Sequence, residues 1–299
     1  MNTKIGPYQV VNLTPGRRVW INTLDLSWPL HSMYGLLEVD VTVARRLIAE
    51  HKARTGETLS FTSFLVSCLA RAVDEDKAVQ AYRKGRKQLI LFDDVNVGLM
   101  VEHKAGDKRA LMGHVIRRAN HKTFREIHDQ IRAVQSAPAP PGRGMPTWFR
   151  SAMLLPWPLS NLFQALLGIV MRRDPTIQVA MGGTVAVTSV GMFGGGHCGW
   201  ALTPTPESLA LVVGGTAWKP AIVEGRIEPR EILNLTVMFN HDVIDGAPAT
   251  RFTRRLVELI ESGYGLGEAQ PMATADTVLA AQQRVPVPAG SSIHKEQRQ

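Results

Sequence analysis

The chain has 299 residues, of which 44% are hydrophobic and 20% are charged, and its formal net charge is +8. This composition is typical of a folded globular protein and excludes a chain that is disordered throughout. The two cysteines, Cys68 and Cys198, are too few for a disulfide framework and belong to no metal-ligand motif. No N-terminal stretch has the pattern of a signal peptide, so we expect a cytoplasmic protein.

The positive net charge favours anionic partners through long-range electrostatic attraction. The densest basic run is RKGRKQ at 83–88. It contains no aromatic residues, whereas surfaces that bind single-stranded nucleic acid interleave aromatic and basic side chains. We therefore expect no nucleic-acid partner and interpret the run as a solvated face, with a contact to a phosphate group as the alternative.

The first half of the chain predicts two helices separated by strands. One helix follows Ser60, a candidate N-cap, because apolar residues recur at helical spacing after it. The segment KQLILFDDVNVGLMVEH then predicts two short strands with a turn at Asp93 and Asp94. NHKTFREIHDQIRAV predicts an amphipathic helix, since its apolar residues again fall on one face.

An insertion is predicted at about 135–175. It opens with the proline-rich stretch QSAPAPPGRGMP, which cannot continue a helix. Residues 159–171 then predict an amphipathic helix with the apolar stripe Leu159, Leu162, Phe163, Leu166, Leu167 and Val170. We favour packing of this helix on the body of the protein or at a subunit interface; contact with a membrane surface or another partner is the less favoured alternative.

The second half predicts a sheet. Apolar or alternating runs between glycines and prolines indicate strands in GTVAVTSVG, SLALVVGGTAW, PAIVEGRIEP and ILNLTVMFN, with a turn at Glu224 and Gly225. A helix in ATRFTRRLVELIES follows. We predict an α/β fold, a mixed sheet with helices in two layers, over residues 1–264, and a flexible polar tail over 265–299.

The motif HDVIDG at 241–246 directly follows the last predicted strand. By strand alternation His241 continues the face of Leu233, Leu235, Val237 and Phe239, which would bring its imidazole into a partly apolar pocket. Burial favours the neutral imidazole, which can accept a proton. A structural histidine at a strand end is the alternative interpretation.

HDVIDG resembles the HxxxDG motif shared by chloramphenicol acetyltransferase and by the catalytic domain of dihydrolipoamide acyltransferases, the core components of 2-oxo-acid dehydrogenase complexes. Consecutive segments between about Leu36 and Gly263 resemble the same catalytic domain in the same order: LFDDVNVGLMVEH, HVIRRANHKTFREIHDQI, GGTVAVTSVGMFGGGH and PESLALVVGG. The resemblance implies a chloramphenicol acetyltransferase-like fold and a homotrimer whose active sites lie between subunits.

The resemblance also implies an enzyme, a coenzyme A-dependent acyltransferase with a thiol acceptor such as dihydrolipoamide. His241 would be the base that takes the thiol proton, and the hydroxyl of Thr188, in TSVG, would stabilise the oxyanion. Asp245 would hold the histidine loop by pairing with an arginine, for which Arg17 and Arg18 are candidates. Ser189 and Gly246 are the expected substrate-binding residues, and no metal is expected.

This chain departs from the family pattern in two respects. Dihydrolipoamide acyltransferases usually read DHRxxDG, whereas Asn240 and Asp242 stand here at the positions of the first Asp and the Arg. No lipoyl domain or subunit-binding segment is recognised before the catalytic part, so we expect a separate protein to supply the lipoyl group. The alternative function is a trimeric scaffold that has lost catalysis and assembles a multienzyme complex.

Overall fold

The computed structural model describes residues 9–14, 17–18, 21, 24–25, 30–105, 108–137, 147–156, 158–190 and 198–267. Eight strands lie in these ranges: β1 Ser32–Asp40, β2 Tyr82–Lys84, β3 Gln88–Ile90, β4 Val97–Ala105, β5 Lys108–Ile116, β6 Val185–Ser189, β7 Leu209–Val223 and β8 Arg226–Asn240. The longer helices are α1 Thr42–Thr55, α2 Phe61–Glu75, α3 Phe124–Ser136, α4 Thr147–Met153, α5 Leu159–Arg173, α6 Thr176–Gly182 and α7 Gly246–Glu261.

Six strands form one mixed sheet in the order β1-β8-β7-β6-β4-β5, and β2 and β3 form a separate hairpin. β6 runs parallel to both of its neighbours, β4 and β7, whereas the other adjacent pairs are antiparallel. The predicted mixed α/β fold is therefore confirmed. The two strands predicted in KQLILFDDVNVGLMVEH are present as β3 and β4, but they belong to different sheets.

One face of the large sheet carries the hydrophobic core. Alternate residues of the strands point to this face, where they pack against α2, α3 and α7. The core residues contributed by the sheet include Val97, Leu99, Val185, Val187, Leu209, Leu211, Leu233, Leu235, Val237 and Phe239. The predicted inward face of β8 is thus confirmed. The last core residue of this face, Phe239, lies two positions before His241.

Caps fix the beginnings of two core helices. The Ser60 side chain accepts a hydrogen bond from the backbone N–H of Ser63, as predicted. Thr123 and Glu126 form a reciprocal capping box at the start of α3. Each cap satisfies backbone N–H groups that a helix leaves without an internal partner.

β7 and β8 form a hairpin of 15-residue strands. The sequence predicted three runs here, and the structure joins them into two continuous strands around the predicted turn at Glu224 and Gly225. Pro220 and Pro229 lie directly opposite each other. Both residues lack a backbone N–H, so the lost hydrogen-bond donors are confined to one residue pair of the two strands. A bulge between Val213 and Thr216 accommodates the glycine pair of this strand.

The helix predicted at 159–171 is present as α5. Most of its predicted apolar stripe does not pack on the body of this chain, whereas packing at a subunit interface stays a prediction. The side chains of Leu159, Leu162, Leu166, Ile169 and Val170 are exposed. Ser160, which lies off the predicted stripe, is buried. No helix within the described ranges has the length and apolarity needed to cross a bilayer. The chain from residue 268 onward, most of the predicted tail, lies outside the described residues.

Candidate active site

His241 lies in the turn that joins β8 to α7. Its backbone N–H donates to the carbonyl oxygen of His31 at 2.7 Å, which fixes the turn to the residue preceding β1. Half of its side chain, 50%, is exposed to solvent. The partly apolar pocket predicted around His241 is therefore not closed by the described residues of one chain, and the imidazole is open to a partner molecule.

The backbone of the turn is held by Asn240, which is buried. The side-chain oxygen of Asn240 accepts the backbone N–H of Asp242 at 3.0 Å, and its carbonyl oxygen accepts those of Val243 and Ile244. The N–H of Asn240 donates to the carbonyl oxygen of Ser208, which precedes β7. Asn240 can form this Asx turn because its short side chain reaches the backbone two residues further on.

Asp242 ties the turn to two distant parts of the chain. One carboxylate oxygen lies 2.8 Å from Nδ1 of His31, and the other accepts a hydrogen bond from Arg83 at 2.6 Å. The Asp242 side chain is 18% exposed, so this ion pair is partly shielded from solvent. The sequence singled out Asp242 only as a departure from the family motif; its partners are 211 and 159 positions away and carry no local signal.

Asp245 is placed differently from the prediction. Its carboxylate is 88% exposed, and the nearest oxygen lies 3.8 Å from Nδ1 of His241, which is too long for a hydrogen bond. The predicted pairing with Arg18 is absent in this chain, because the Arg18 guanidinium donates to the carbonyl oxygens of Leu154 and Leu155. Among the described residues, no ion pair joins Arg17 to Asp245.

Gly246 begins α7 in an exposed position. A Cβ added there would meet no atom within 4 Å, so the packing of this chain does not require glycine. The space beside Gly246 is open in this chain.

Thr188 and Ser189 end β6, which is separated from β8 by one strand, β7. Thr188 lies opposite Val212 of β7, and Val212 lies opposite Thr236 of β8. His241 follows β8 five residues beyond Thr236. With strands about 4.8 Å apart and a rise of about 3.4 Å per residue, Thr188 and His241 are roughly 15 Å or more apart in one chain. The structure thus brings Asp245 near His241 but separates Thr188 and Ser189 from it.

A buried acid precedes Ser208, the residue that accepts the backbone N–H of Asn240. This acid is Glu207, and burial raises the pKa of its carboxyl group from 4.5 to about 7. Burial disfavours the charged carboxylate, which explains the direction of the change. Nothing in the sequence marked this glutamate.

A second group of titratable side chains joins α1, α2 and α3. Glu57, His128 and Asp129 lie close enough together to suggest a metal site. Arg125, however, donates to Glu57 at 2.7 Å and lies 3.1 Å from Asp129, and it lowers the pKa of Glu57 to about 2. Because the guanidinium already neutralises these carboxylates, we interpret the group as a structural ion-pair cluster.

The family model of the 2-oxoacid dehydrogenase acyltransferase catalytic domain matches residues 6–138 and 157–266. The chain belongs to this family. The interruption at 139–156 lies inside the insertion predicted from the sequence.

Curated relatives have the same region in common. The lipoamide acyltransferase component of the branched-chain α-keto acid dehydrogenase complex of Bacillus subtilis is 26% identical over 232 residues, covering 76% of this chain and 46% of the relative. A dihydrolipoyllysine-residue acetyltransferase of Mycoplasma capricolum is 25% identical and is covered to 42%. The chain therefore spans about half the length of the curated relatives it matches.

A solved structure supports the fold. A probable dihydrolipoamide acetyltransferase from Listeria monocytogenes superposes with a TM-score of 0.62 at 19% identity, covering 89% of this chain and 99% of that one. At this identity the likeness establishes the fold of the family, and the activity of this chain is a separate question.

Proposed function

We propose that the protein is a coenzyme A-dependent acyltransferase that moves an acyl group between coenzyme A and a thiol acceptor, such as dihydrolipoamide carried by a separate protein. The observation that carries this proposal is the half-exposed imidazole of His241, held by its backbone at the end of β8 with open space beside Gly246. Membership of the acyltransferase family supports it.

The chemistry requires a base. A thiol has a reference pKa of about 8.5 and is mostly protonated at neutral pH, so a neutral imidazole that accepts its proton raises its nucleophilicity. The sulfur then forms a bond to the thioester carbonyl carbon, and the bond from that carbon to the leaving sulfur breaks. The proton held by His241 passes to the leaving thiolate, which regenerates the neutral imidazole.

In this proposal the active site combines two chains. Thr188 supplies the hydroxyl that stabilises the oxyanion, and Ser189 and Gly246 contact the substrate. The separation of Thr188 from His241 within one chain supports a composite site, because a thioester cannot reach both groups across roughly 15 Å. A homotrimer, in which each His241 faces the Thr188 of the next chain, satisfies this requirement.

Asp245 has a smaller role in this scheme than the family pattern implies. Its carboxylate is close enough to His241 to favour an orientation of the ring electrostatically, but it makes no hydrogen bond to it in this chain. In this chain the contacts of Asp242 with His31 and Arg83 hold the turn instead.

The alternative is a trimeric scaffold without catalysis. The observation that favours it is the altered flank of the motif, in which Asp242 is used for an internal ion pair. Such a protein could keep coenzyme A binding but would not transfer acyl groups.

The test is acetyl transfer from acetyl-coenzyme A to free dihydrolipoamide, compared between the unchanged protein and His241→Ala. We expect turnover to fall by about 100-fold to 10,000-fold, the usual contribution of a general base. His121→Ala is the matched control, because His121 is 54% exposed and also lies beside a carboxylate, that of Asp94 at 3.3 Å. Circular dichroism would establish that both variants are folded.

Equal activity in His241→Ala and the unchanged protein would refute the role of His241. Coenzyme A binding without transfer to dihydrolipoamide, or to other thiol acceptors, would favour the scaffold. Activity that is lost only in His241→Ala would establish the base and direct the search to a lipoyl-bearing partner.

A further inference from the structure

α5 and the basic end of the β2–β3 hairpin supply no group to the proposed acyl transfer, although Arg83 in β2 pairs with Asp242 of the His241 turn. On α5 the residues Leu159, Leu162, Leu166, Ile169 and Val170 are 54%, 58%, 53%, 48% and 44% exposed. Their spacing of three, four and seven positions places them on one side of the helix. We call this row of side chains the outer stripe. Large exposed apolar patches on globular proteins usually mark interaction surfaces.

The inner side of α5 is already occupied. Ser160 is buried, and Leu167 is partly buried. α5 contacts α4, α6 and the strand β2. The helix is therefore fixed to the body of the protein by its inner side, and it presents the outer stripe as a rigid surface.

The neighbouring hairpin is basic. Lys84 ends β2, Arg86 and Lys87 lie in the turn to β3, and all three side chains are exposed. The hairpin also exposes Leu89, at 51%. The hydrogen bonds from Thr176 and then the positive charge of Lys84 lower the pKa of Asp174, which follows α5 directly. The turn end of the hairpin, where Lys84 pairs with Gln88, therefore lies close to the end of this helix.

The segment that leads into and forms α5 is also positively charged. Residues 137–173 contain four arginines and neither aspartate nor glutamate. A second copy of the chain would bring another apolar stripe, but also another basic hairpin and no acidic group from this segment. Charge complementarity therefore favours an anionic surface over self-association.

We propose that the outer stripe and the β2–β3 hairpin form a docking surface for an anionic lipid bilayer. The leucines of the stripe enter the boundary between headgroups and acyl chains, while Lys84, Arg86 and Lys87 contact the lipid phosphates. This arrangement corresponds to an interfacial helix that lies in the membrane plane. It agrees with the finding that no described helix could span a bilayer.

The experiment measures sedimentation of the full chain with large unilamellar vesicles. One set contains phosphatidylglycerol and phosphatidylcholine, and the other contains phosphatidylcholine alone. We expect binding to the anionic vesicles that weakens as salt rises, because the basic side chains act through a screened potential. The variant Leu162→Asn/Leu166→Asn should bind at least about tenfold more weakly.

Lys84→Gln/Lys87→Gln should weaken binding by about tenfold as well. The matched control is Lys52→Gln/Arg54→Gln, which removes the same charge from exposed positions near the end of α1 and should bind as the unchanged protein does. Sedimentation velocity without vesicles would monitor the oligomeric state of every variant.

Three outcomes would overturn the proposal. The first is no binding to anionic vesicles at low salt. The second is equal binding by Leu162→Asn/Leu166→Asn. The third is an oligomer that dissociates in this variant without any vesicle binding, which would assign the outer stripe to a contact between copies. Acyl transfer is not measured, so failure of this proposal leaves the proposed function untouched.

Discussion

The two ends of the central sheet differ in the contacts that hold their candidate catalytic residues within one chain. At the end where β8 stops, hydrogen bonds from Asn240 and the ion pairs of Asp242 hold the turn that carries His241. At the end where β6 stops, Thr188 is placed by strand pairing alone, with Val212 as its neighbour. The first end holds a half-exposed imidazole in a fixed turn. At the second end, strand pairing places the Thr188 hydroxyl two strands away from the strand that leads to His241.

This difference indicates what each end needs. A base must be held at a defined position but must remain accessible, and the turn achieves this by fixing the backbone and leaving half of the imidazole exposed. A hydroxyl on a paired strand is already rigid, so it needs only the correct partner. Association of chains supplies that partner if the proposed trimer forms.

The largest expected effect comes from combining defects at the two ends. His241→Ala and Thr188→Val should each lose most of the activity, about 100-fold or more. When both variants are co-expressed in equal amounts, their chains mix at random in a cyclic trimer. About one quarter of the interfaces then combine an intact His241 with an intact Thr188. Acetyl transfer by the mixed protein should therefore recover to about a quarter of the unchanged level.

Thr188→Ser is the control, because it keeps the hydroxyl and should retain activity when expressed alone. Recovery in the mixture would require that the two residues act across an interface. If the mixed protein is no more active than the average of the two variants, the composite site is wrong.

The sequence predicted the fold better than the site. Strand alternation in ILNLTVMFN correctly assigned the core face of β8, because this face is specified by local periodicity and by burial. The spacing of Phe61, Phe64 and Leu65, with the Ser60 cap, likewise specified α2. These features depend on neighbouring residues in the chain.

The contacts of the site depend on distant residues instead. Periodicity could not pair Asp242 with Arg83, nor show that Arg18 binds the carbonyl oxygens of Leu154 and Leu155 rather than Asp245. It identified the amphipathic character of α5 but left open whether the stripe packs on the body of the protein or at a subunit interface. Burial of Ser160 shows that the tertiary contacts of a helix can override the side that its composition favours.

Glu207 should give a smaller, pH-dependent effect on the end that carries His241. Its pKa is about 7 in the folded protein, against an ordinary value of 4.5. Between pH 4.5 and pH 7 the Glu207 carboxyl is protonated in the folded protein and ionised in the unfolded chain, so unfolding releases a proton. The free energy of unfolding therefore falls as pH rises, by up to about 3 kcal/mol. Glu207→Gln cannot ionise, and its stability relative to the unchanged protein should rise between pH 5 and pH 8.

Urea unfolding at several pH values and one protein concentration would measure this difference. Glu50→Gln is the control, because the Glu50 side chain is 62% exposed and should not alter the pH dependence in this way. Parallel stability curves for Glu207→Gln and the unchanged protein would show that the Glu207 carboxyl does not carry the effect.

The smallest effect is expected at Asp242, where the structure replaces the family's arginine with an internal ion pair. The partners are partly solvated, with His31 78% exposed and Arg83 47% exposed, so we expect the coupling between Asp242 and Arg83 to be about 1 kcal/mol or less. A double-mutant cycle of Asp242→Asn and Arg83→Gln in urea unfolding would measure it. Because the N–H of His241 still donates to His31, turnover should fall only several-fold in Asp242→Asn.

Asp242→Arg should lower turnover further, because it restores the family residue but places a second positive charge beside Arg83. Arg83→Gln should then partly rescue Asp242→Arg by removing the repulsion. Activity in Asp242→Arg above that of the unchanged protein would contradict the role assigned to the pair. Such a result would mean that the turn at the His241 end is held by Asn240 alone and that the ion pair limits the chemistry.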